Sequence, residues 1–244
     1  MKVEIWSDVI CPWCAIGKRR FATALARFPH RDEVEVRYRS FELDPQAPAR
    51  HEGDREERLA AKFGSDVARV RAMHEHITGL AAAEGLEFHF EKARDGSTVD
   101  AHRLLHLAWA HGGAALQGAL KERLMQGYFS EGEPIGDPAA LRSLAVAAGL
   151  PEADVDRVLA GDEYLDAVRA DEQQARDLGI SGVPFFVVDG RYGVSGARRA
   201  ALRPGPGLVG APPGAGLTGR AGRAAPEAGP GRAGQAGTPS GKAR

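Results

Sequence analysis

The chain has 244 residues, enough for one large domain or two small ones, and its 32 basic and 33 acidic residues leave a formal net charge of −1. Residues 197–244 hold eight Lys or Arg against one Glu, so residues 1–196 carry the remaining −8. An acidic folded part argues against a nucleic-acid partner, and the sequence contains no apolar stretch of the length that predicts a membrane span.

The two cysteines of the chain belong to a Cys-Pro-Trp-Cys motif at residues 11–14, between a predicted strand (residues 3–6) and a predicted helix (residues 15–28). Two thiols at this spacing can close a disulfide and reopen it. The unpaired N–H groups and the dipole of a helix N-terminus would stabilise a thiolate at the first thiol. We therefore expect Cys11 to attack and Cys14 to resolve the intermediate.

The two residues between the cysteines suit the same role. Pro12 fits the first helical turn, where its missing N–H costs nothing, and Trp13 offers an apolar rim on which thiol substrates can dock. A permanent structural disulfide is less expected. The N-terminus lacks the apolar run of an export signal, so we expect a cytoplasmic protein, and intracellular disulfides are usually catalytic.

The cysteine spacing also permits a zinc site, and this alternative stays open. His102 and His106 lie four residues apart on a predicted helix and could complete a Cys2His2 set. Against it, the histidines are much further along the chain than in a zinc finger, and Pro-Trp is unusual between metal-binding cysteines. We expect no metal, and stoichiometric zinc that is lost when either histidine is changed would indicate a non-catalytic zinc-binding module.

The next predicted elements are a strand over residues 34–38 with alternating apolar side chains and a loop over residues 41–48. A long helical block follows. Apolar residues between Leu59 and Leu80 step by threes and fours, which predicts a helix. Further on, Asp137-Pro138 predicts an N-cap followed by proline at the first helical position.

Strands return at residues 183–188 and 191–195, joined by Asp189-Gly190, a strong signal for a hairpin with a type I′ turn. The order is strand, helix, strand, helical block, hairpin. It predicts a helical insertion inside a small mixed sheet rather than two consecutive domains.

Pro184 lies in this last strand pattern, where a proline removes a ladder donor. One solution is a cis Val183–Pro184 bond facing Cys11, which leaves backbone groups free to pair with an extended substrate. The other is an ordinary trans proline that opens the strand. The residues alone do not separate the two.

Four segments together resemble one protein family: residues 6–14 (WSDVICPWC), 100–104 (DAHRL), 182–186 (GVPFF) and 190–196 (GRYGVSG). They resemble the DsbA group of thioredoxin-fold proteins and, more narrowly, its FrnE-like subgroup, over about residues 1–197. The resemblance implies an α/β thioredoxin-like fold with an inserted all-helical domain. It also implies a DsbA-like protein disulfide oxidoreductase and a cis bond at Pro184.

On this basis the chain divides into three parts. The thioredoxin-like domain is expected at residues 1–48 and 171–196, the inserted helical domain at 49–170, and a tail at 197–244. The site prediction has two classes of residue. The expected catalytic residues are Cys11, Cys14 and Pro184. The expected substrate-binding residues are Pro12, Trp13, Val183, His102 and Arg103.

The wider family also contains glutathione-dependent 2-hydroxychromene-2-carboxylate isomerases, which usually keep a serine at the position of Cys11 and lack the second thiol. Both thiols are present here, which favours redox chemistry, and the isomerase is the alternative function. We expect protein or small-molecule thiols and disulfides as partners, and neither nucleic acid nor a membrane. No bound cofactor is expected, and glutathione is a candidate co-substrate. The sequence gives no indication of the oligomeric state.

The tail departs from the family, whose members end with a helix after the hairpin. Residues 197–244 contain twelve Gly and seven Pro and no aromatic residue. Such a segment buries too little apolar area to offset its ordering entropy, so we expect disorder. Its composition suggests a frameshift near Ala197, and the alternative is a basic tail that binds an acidic partner.

Overall fold

A computed structural model of the chain describes residues 1–197. Within them one sheet contains four strands in the order β2-β1-β3-β4. The strands are β1 (Lys2–Ser7), β2 (Glu35–Ser40), β3 (Phe185–Val188) and β4 (Tyr192–Ser195). The helices are α1 (Pro12–Ala26), α2 (Arg55–Phe63), α3 (Val67–Ala82), α4 (Val99–Gln126), α5 (Pro138–Ala147), α6 (Glu152–Ala160) and α7 (Leu165–Asp177). A 3-10 turn (Arg31–Glu33) precedes β2, and a π-helical turn (Gly127–Glu131) follows α4.

The sheet is mixed, as the sequence predicts. β1 runs parallel to β2, with Ile5 opposite Tyr38, and antiparallel to β3, with Ile5 opposite Phe186. β3 and β4 form an antiparallel hairpin. Asp189 and Gly190 both have positive φ, 50° and 65°, which is the conformation that a type I′ turn requires.

The sheet buries both of its faces. On one face Val3, Ile5 and Tyr38 pack with Phe21 of α1. On the other face Trp6 and Val187 pack with Ala175 of α7, and the indole N–H of Trp6 donates to the main-chain carbonyl of Asp171 at 3.0 Å. A third and larger apolar cluster fills the helical part of the molecule and extends to both cysteines. The dithiol therefore lies where the sheet and the helical core meet.

Helix boundaries follow the local signals in most places. Asp137 caps α5, because its carboxylate accepts from the N–H groups of Ala139 and Ala140. The segment from Leu59 to Leu80 is helical, as its spacing predicts, but it forms two helices. Gly64 ends α2 in the left-handed conformation, with φ 59°.

The helix α4 also contains a break, although both halves are helical. Gly112 and Gly113 have non-helical backbone angles, and Gly113 has a φ of 58°. The break lets the second half of α4 turn back against β2. There the side-chain amide of Gln117 accepts from the N–H of Tyr38 at 2.8 Å and donates to its carbonyl at 3.0 Å. Gln117 thus provides hydrogen-bond partners for two main-chain groups on β2, which is an edge strand of the sheet.

The predicted α/β fold, thioredoxin-like with helices inserted between β2 and β3, is confirmed. The division into domains stays a prediction, and α7 runs through the expected boundary at residue 170. The expectations for the tail fall, apart from Ala197, outside the described residues. None of the helices in residues 1–197 has the length and apolarity needed to cross a membrane.

Candidate active site

The dithiol lies at the start of α1. Cys11 is the N-cap, Pro12 occupies the first helical position, and the carbonyl of Cys11 accepts from the N–H groups of Cys14 at 3.0 Å and Ala15 at 3.2 Å. Both thiols are free and buried, with 3 % of Cys11 and 2 % of Cys14 exposed. Trp13 is 38 % exposed. The motif therefore presents an indole to solvent and keeps both sulfurs inside.

The Val183–Pro184 segment faces the first thiol. Its peptide bond is cis, the form that the resemblance implies, and the thiol of Cys11 donates to the carbonyl of Val183 at 3.7 Å. A Cβ at Gly17 would lie 2.9 Å from the Pro184 ring. The absence of a side chain at Gly17 is what lets α1 approach this segment so closely.

Behind the dithiol lies a cluster of buried polar side chains: Ser7, Asp8, His102 and Lys121. We call it the Asp8 cluster. The Asp8 carboxylate accepts from the N–H groups of Val9 at 2.7 Å and Leu43 at 2.8 Å, and one of its oxygens lies 3.2 Å from Nε2 of His102. Nζ of Lys121 donates to the carbonyl of Ser7 at 3.3 Å. Two atoms in the cluster, Oγ of Ser7 and Nδ1 of His102, have no hydrogen-bond partner among the described residues.

Burial and hydrogen bonding together determine the protonation states here. It opposes ionisation of Asp8, but hydrogen bonds from His102 and Leu43 and the charge of Lys121 outweigh it and hold the pKa of Asp8 below its ordinary value. Burial lowers the pKa of His102, and Asp8 opposes this only in part. A neutral His102 donates through Nε2 to ionised Asp8, which leaves Nδ1 as an unpartnered acceptor.

The pKa values of Cys14 and Lys121 are shifted in opposite directions. Burial, together with the neighbouring Cys11, raises the pKa of Cys14 well above its ordinary value. Burial lowers the pKa of Lys121 to about 8, against the opposing influence of Cys14 and Asp8. At neutral pH Cys14 is therefore a thiol, and a proton must leave it before it can attack.

The structure brings most of the predicted site residues together. Pro12, Trp13, Val183 and Pro184 surround Cys11, and His102 reaches the cluster behind it. The side chain of Arg103 does not join this group. Its guanidinium donates to the carbonyls of Val158, Gly161 (2.6 Å) and Glu163 (2.8 Å) and to the Asp100 carboxylate. These bonds hold the end of α6, so we assign Arg103 a structural role and leave it out of the site.

The zinc alternative gains no support from the geometry. His106 lies 3.2 Å from Oγ of Ser40 and 3.1 Å from the carboxylate of Asp171, not beside the cysteines. Across residues 1–197 the structure contains no group of three or more His, Cys, Asp or Glu side chains placed to hold a metal ion.

Asp8 and Lys121 are the site residues that the sequence analysis missed. Lys121 adjoins Leu120 on the apolar stripe of the second half of α4, where an amphipathic pattern would place a lysine at the surface. Asp8 is part of the segment that carries the family resemblance, so its chemistry could have been questioned from the sequence. The burial of Lys121 depends on how α4 packs against β2 and reaches the end of β1, which local patterns do not encode.

Comparison with known proteins identifies the family. A model of the DSBA-like thioredoxin domain matches residues 2–202. The chain is similar to a probable DsbA oxidoreductase of known structure from Streptomyces coelicolor, with 48% identity and a TM-score of 0.76, over 81% of this chain and 84% of that one. It is also 26% identical over 188 residues to the protein YwbO of Bacillus subtilis, over 76% of this chain and 86% of that protein.

More distant structures share the fold. A cytosolic disulfide reductase, DsbM from Pseudomonas aeruginosa, solved with glutathione, is 20% identical with a TM-score of 0.56, over 78% of this chain and 87% of that one. A 2-hydroxychromene-2-carboxylate isomerase is 14% identical with a TM-score of 0.61, over 81% and 89% of the two chains.

Proposed function

Because the chain belongs to the DSBA-like thioredoxin domain family, we propose that it is a thiol–disulfide oxidoreductase in which Cys11 attacks and Cys14 resolves. One observation carries the proposal. Cys11 is the N-cap of α1, opposite the Val183 carbonyl, and Cys14 lies one helical turn further on. Two thiols at this spacing, the first of them at the helix N-terminus, suit a two-step exchange.

In the first step the Cys11 thiolate attacks a substrate disulfide. A bond forms between Cys11 Sγ and one substrate sulfur, the substrate S–S bond breaks, and the other substrate sulfur leaves as a thiolate. In the second step Cys14 attacks Cys11 Sγ and releases the remaining substrate thiolate. The dithiol loses two electrons and the substrate disulfide gains them. The reverse sequence oxidises a substrate dithiol.

The residues around Cys11 have supporting roles. Trp13 provides an exposed apolar contact next to the attacking sulfur. Pro184, whose ring packs on Gly17, fixes the position of the Val183 carbonyl. We assign Pro12 to the start of the helix and His102 to the buried cluster, where 1 % exposure rules out direct contact with a docked protein. Protein or small-molecule disulfides are the proposed substrates, and glutathione is a proposed co-substrate.

Reduction of insulin disulfides tests the activity. The Cys11→Ser protein should lose it almost completely, because no thiol then remains at the helix N-terminus to attack. Cys14→Ser should react once and stop. Ser65→Ala, a hydroxyl deletion in the turn between α2 and α3, serves as a control for substitution alone. Full activity in the Cys11→Ser protein would dismiss the proposal, and turnover of a chromene carboxylate with glutathione in the Cys14→Ser protein would favour the isomerase instead.

A further inference from the structure

A pocket of about 300 Å³ lies between α1, the segment that follows α3 and the end of α4. We call it the α1–α4 pocket. Its floor is apolar and is made by four side chains of the helical region: Leu86, Phe88, Met125 and Phe129. Protein interiors contain few spaces larger than a water molecule, and the volumes of ligand sites begin at about this value. The chemistry of the dithiol does not assign this space a role.

The walls of the pocket are fixed by hydrogen bonds and by ring stacking. Phe129 and Ser130 belong to the π-helical turn after α4, and turns of this kind are frequent at functional sites. The carbonyl of Phe129 accepts from the N–H of His89 at 2.7 Å, and the hydroxyl of Ser130 donates to the carbonyl of Glu87 at 2.6 Å. The rings of Phe88 and Phe129 stack with their centroids 4.3 Å apart. The pocket is therefore formed before a ligand arrives.

One face of α1 leads from Cys11 to the pocket. Ala15 and Arg19 line one wall, and with Pro12 they lie at helical spacings of three and four. At about 1.5 Å per residue, this wall extends from about 6 to about 12 Å along the helix axis from Cys11. An extended peptide advances about 3.3 Å per residue, so residues about two to four positions from a substrate cysteine on Cys11 can reach it. Trp13, two residues from Ala15, lies on another face of the helix.

The rim of the pocket offers no free positive charge. Of the described residues that line it, only Arg19 is a cation, and its guanidinium pairs with the Glu122 carboxylate at 3.0 Å. Glu87 adds a second carboxylate to the rim. The carboxylates of glutathione would find no unpaired cation here, and glutathione has no large apolar side chain for the floor. The pocket therefore suits an apolar side chain of an uncharged or basic peptide better than it suits glutathione.

We propose that the α1–α4 pocket is a specificity site that receives one large apolar side chain of a polypeptide disulfide while the nearby substrate cysteine reacts with Cys11. The inference rests on the proposed function and narrows its substrates to polypeptides with an apolar residue about two to four positions from the cysteine. The pocket contributes binding only, and the exchange of disulfides is unchanged. Oxidised glutathione reacts at Cys11 without this contact.

Two symmetric peptide disulfides test the preference. Each is a dimer of a short cysteine peptide, and the two differ only in carrying Leu or Ser at the third position on both sides of the cysteine. The Cys14→Ser protein is mixed with each, and intact mass follows the adduct on Cys11. The Cys11 thiolate bonds to one peptide sulfur, and the other peptide leaves as a thiolate. At low peptide concentration the Leu peptide should react about tenfold faster. Equal rates would overturn the proposal.

Substitution of Leu86 locates the preference. Leu86→Glu, made in the Cys14→Ser protein, places a carboxylate in the floor at a half-buried position. The Leu peptide should then react no faster than the Ser peptide, while attack on oxidised glutathione stays within about twofold and shows that the site is intact. Val146→Glu, the matched change at an exposed apolar residue of α5, should keep the full preference. An undiminished preference in the Leu86→Glu protein would overturn the proposal.

A labelling experiment on the unaltered pocket does not depend on the folding of that variant. The leucines of the peptide are replaced by a photoreactive diazirine analogue, the adduct on Cys11 is irradiated, and the labelled residues are mapped by mass spectrometry. Labels should fall in residues 85–88 or 125–130, which line the pocket. Labels confined to Trp13 or to residues 183–184 would overturn the proposal, because the apolar side chain would then lie on another face of α1.

The same measurements separate this inference from the proposed function. If oxidised glutathione forms an adduct on Cys11 but the two peptides react at equal rates, the specificity site is wrong and the oxidoreductase stands. If neither glutathione nor either peptide forms an adduct on Cys11, the proposed function fails and this inference fails with it.

Discussion

The Asp8 cluster behind the dithiol and a second buried polar cluster in the helical region use similar side chains in different ways. In the second, which we call the Asp95 cluster, Asp95 accepts from Arg55 at 3.0 Å, from Arg58 at 3.1 Å and from the hydroxyl of Tyr128. Arg55 also lies 3.3 Å from Nε2 of His74. None of these polar groups is without a partner. In the Asp8 cluster, Ser7 and His102 each have an unsatisfied atom.

The difference shows how to separate structural from functional polar groups in this protein. The Asp95 cluster ties α2, α3 and the π-helical turn to the segment before α4, and every bond serves that purpose. Within residues 1–197 the Asp8 cluster leaves hydrogen-bonding capacity unused and contains a lysine without a salt bridge, yet it adjoins the cysteine motif. Incomplete pairing next to reactive groups indicates chemistry, whereas complete pairing far from them indicates stability.

The largest effect on stability is expected from the Asp95 cluster. Asp95→Asn removes the negative charge that Arg55 and Arg58 share, so the free energy of unfolding should fall by about 2–4 kcal/mol in urea titrations. Insulin reduction per folded molecule should stay within about twofold of wild type. Asp44→Asn, at the exposed ion pair with Lys62, should cost less than about 1 kcal/mol. A marked change in activity for Asp95→Asn would break the contrast between the clusters.

Gln117 provides a second test of the contrast between the two clusters. It lies on the same helix as Lys121, but its hydrogen bonds are to main-chain groups and serve the fold. Gln117→Leu leaves the N–H and carbonyl of Tyr38 unpaired, so we expect a loss of about 2 kcal/mol in unfolding free energy and insulin reduction per folded molecule within about twofold of wild type. Gln126→Leu, the same change at an exposed position of α4, should be close to neutral. Slow insulin reduction by the folded Gln117→Leu protein would show that disturbing α4 is enough to affect the dithiol.

Substitution of Glu42 should have a smaller effect on the free energy of unfolding, and that effect should depend on pH. Burial raises its pKa to about 7, against the influence of Arg169, and its Oε2 has no partner among the described residues. Between its ordinary pKa of 4.5 and about 7 the folded state binds more protons than the unfolded state, so stability from this group falls as pH rises through that window. Glu42→Gln should therefore gain about 1–2 kcal/mol at pH 8 and almost nothing at pH 4. An equal gain at both pH values would contradict this cause.

Much of the fold follows from local signals. The cysteine motif at a strand-to-helix junction, the Asp189-Gly190 turn and the cap at Asp137 each depend on a few adjacent residues, and the structure has all three. The break at Gly64 was missed because the apolar spacing continues through it, and periodicity alone does not register a left-handed glycine.

Only the parts of the site that single short segments of the sequence supply could be predicted. Cys11 and its neighbours come from one short segment, and the strand containing Pro184 carries its own signal. The cluster behind them is assembled from the end of β1 and two turns of α4 that are far apart in the sequence. His102 and Arg103 are adjacent and looked alike as candidates, yet they project from different faces of the helix and only His102 reaches the Asp8 cluster. Packing of α4 decides this, and the sequence pattern is compatible with either outcome.

The order of attack is the central claim, and trapping the intermediate tests it most directly. The Cys14→Ser protein is reduced, exposed to insulin or oxidised glutathione, and digested for mass mapping. We predict one covalent adduct per protein, joined through a disulfide at Cys11 and stable until a reductant is added. In the matched Cys11→Ser protein Cys14 should carry little adduct, because burial raises the pKa of its thiol. An adduct that forms as readily on Cys14, or no adduct on Cys11, would contradict the account.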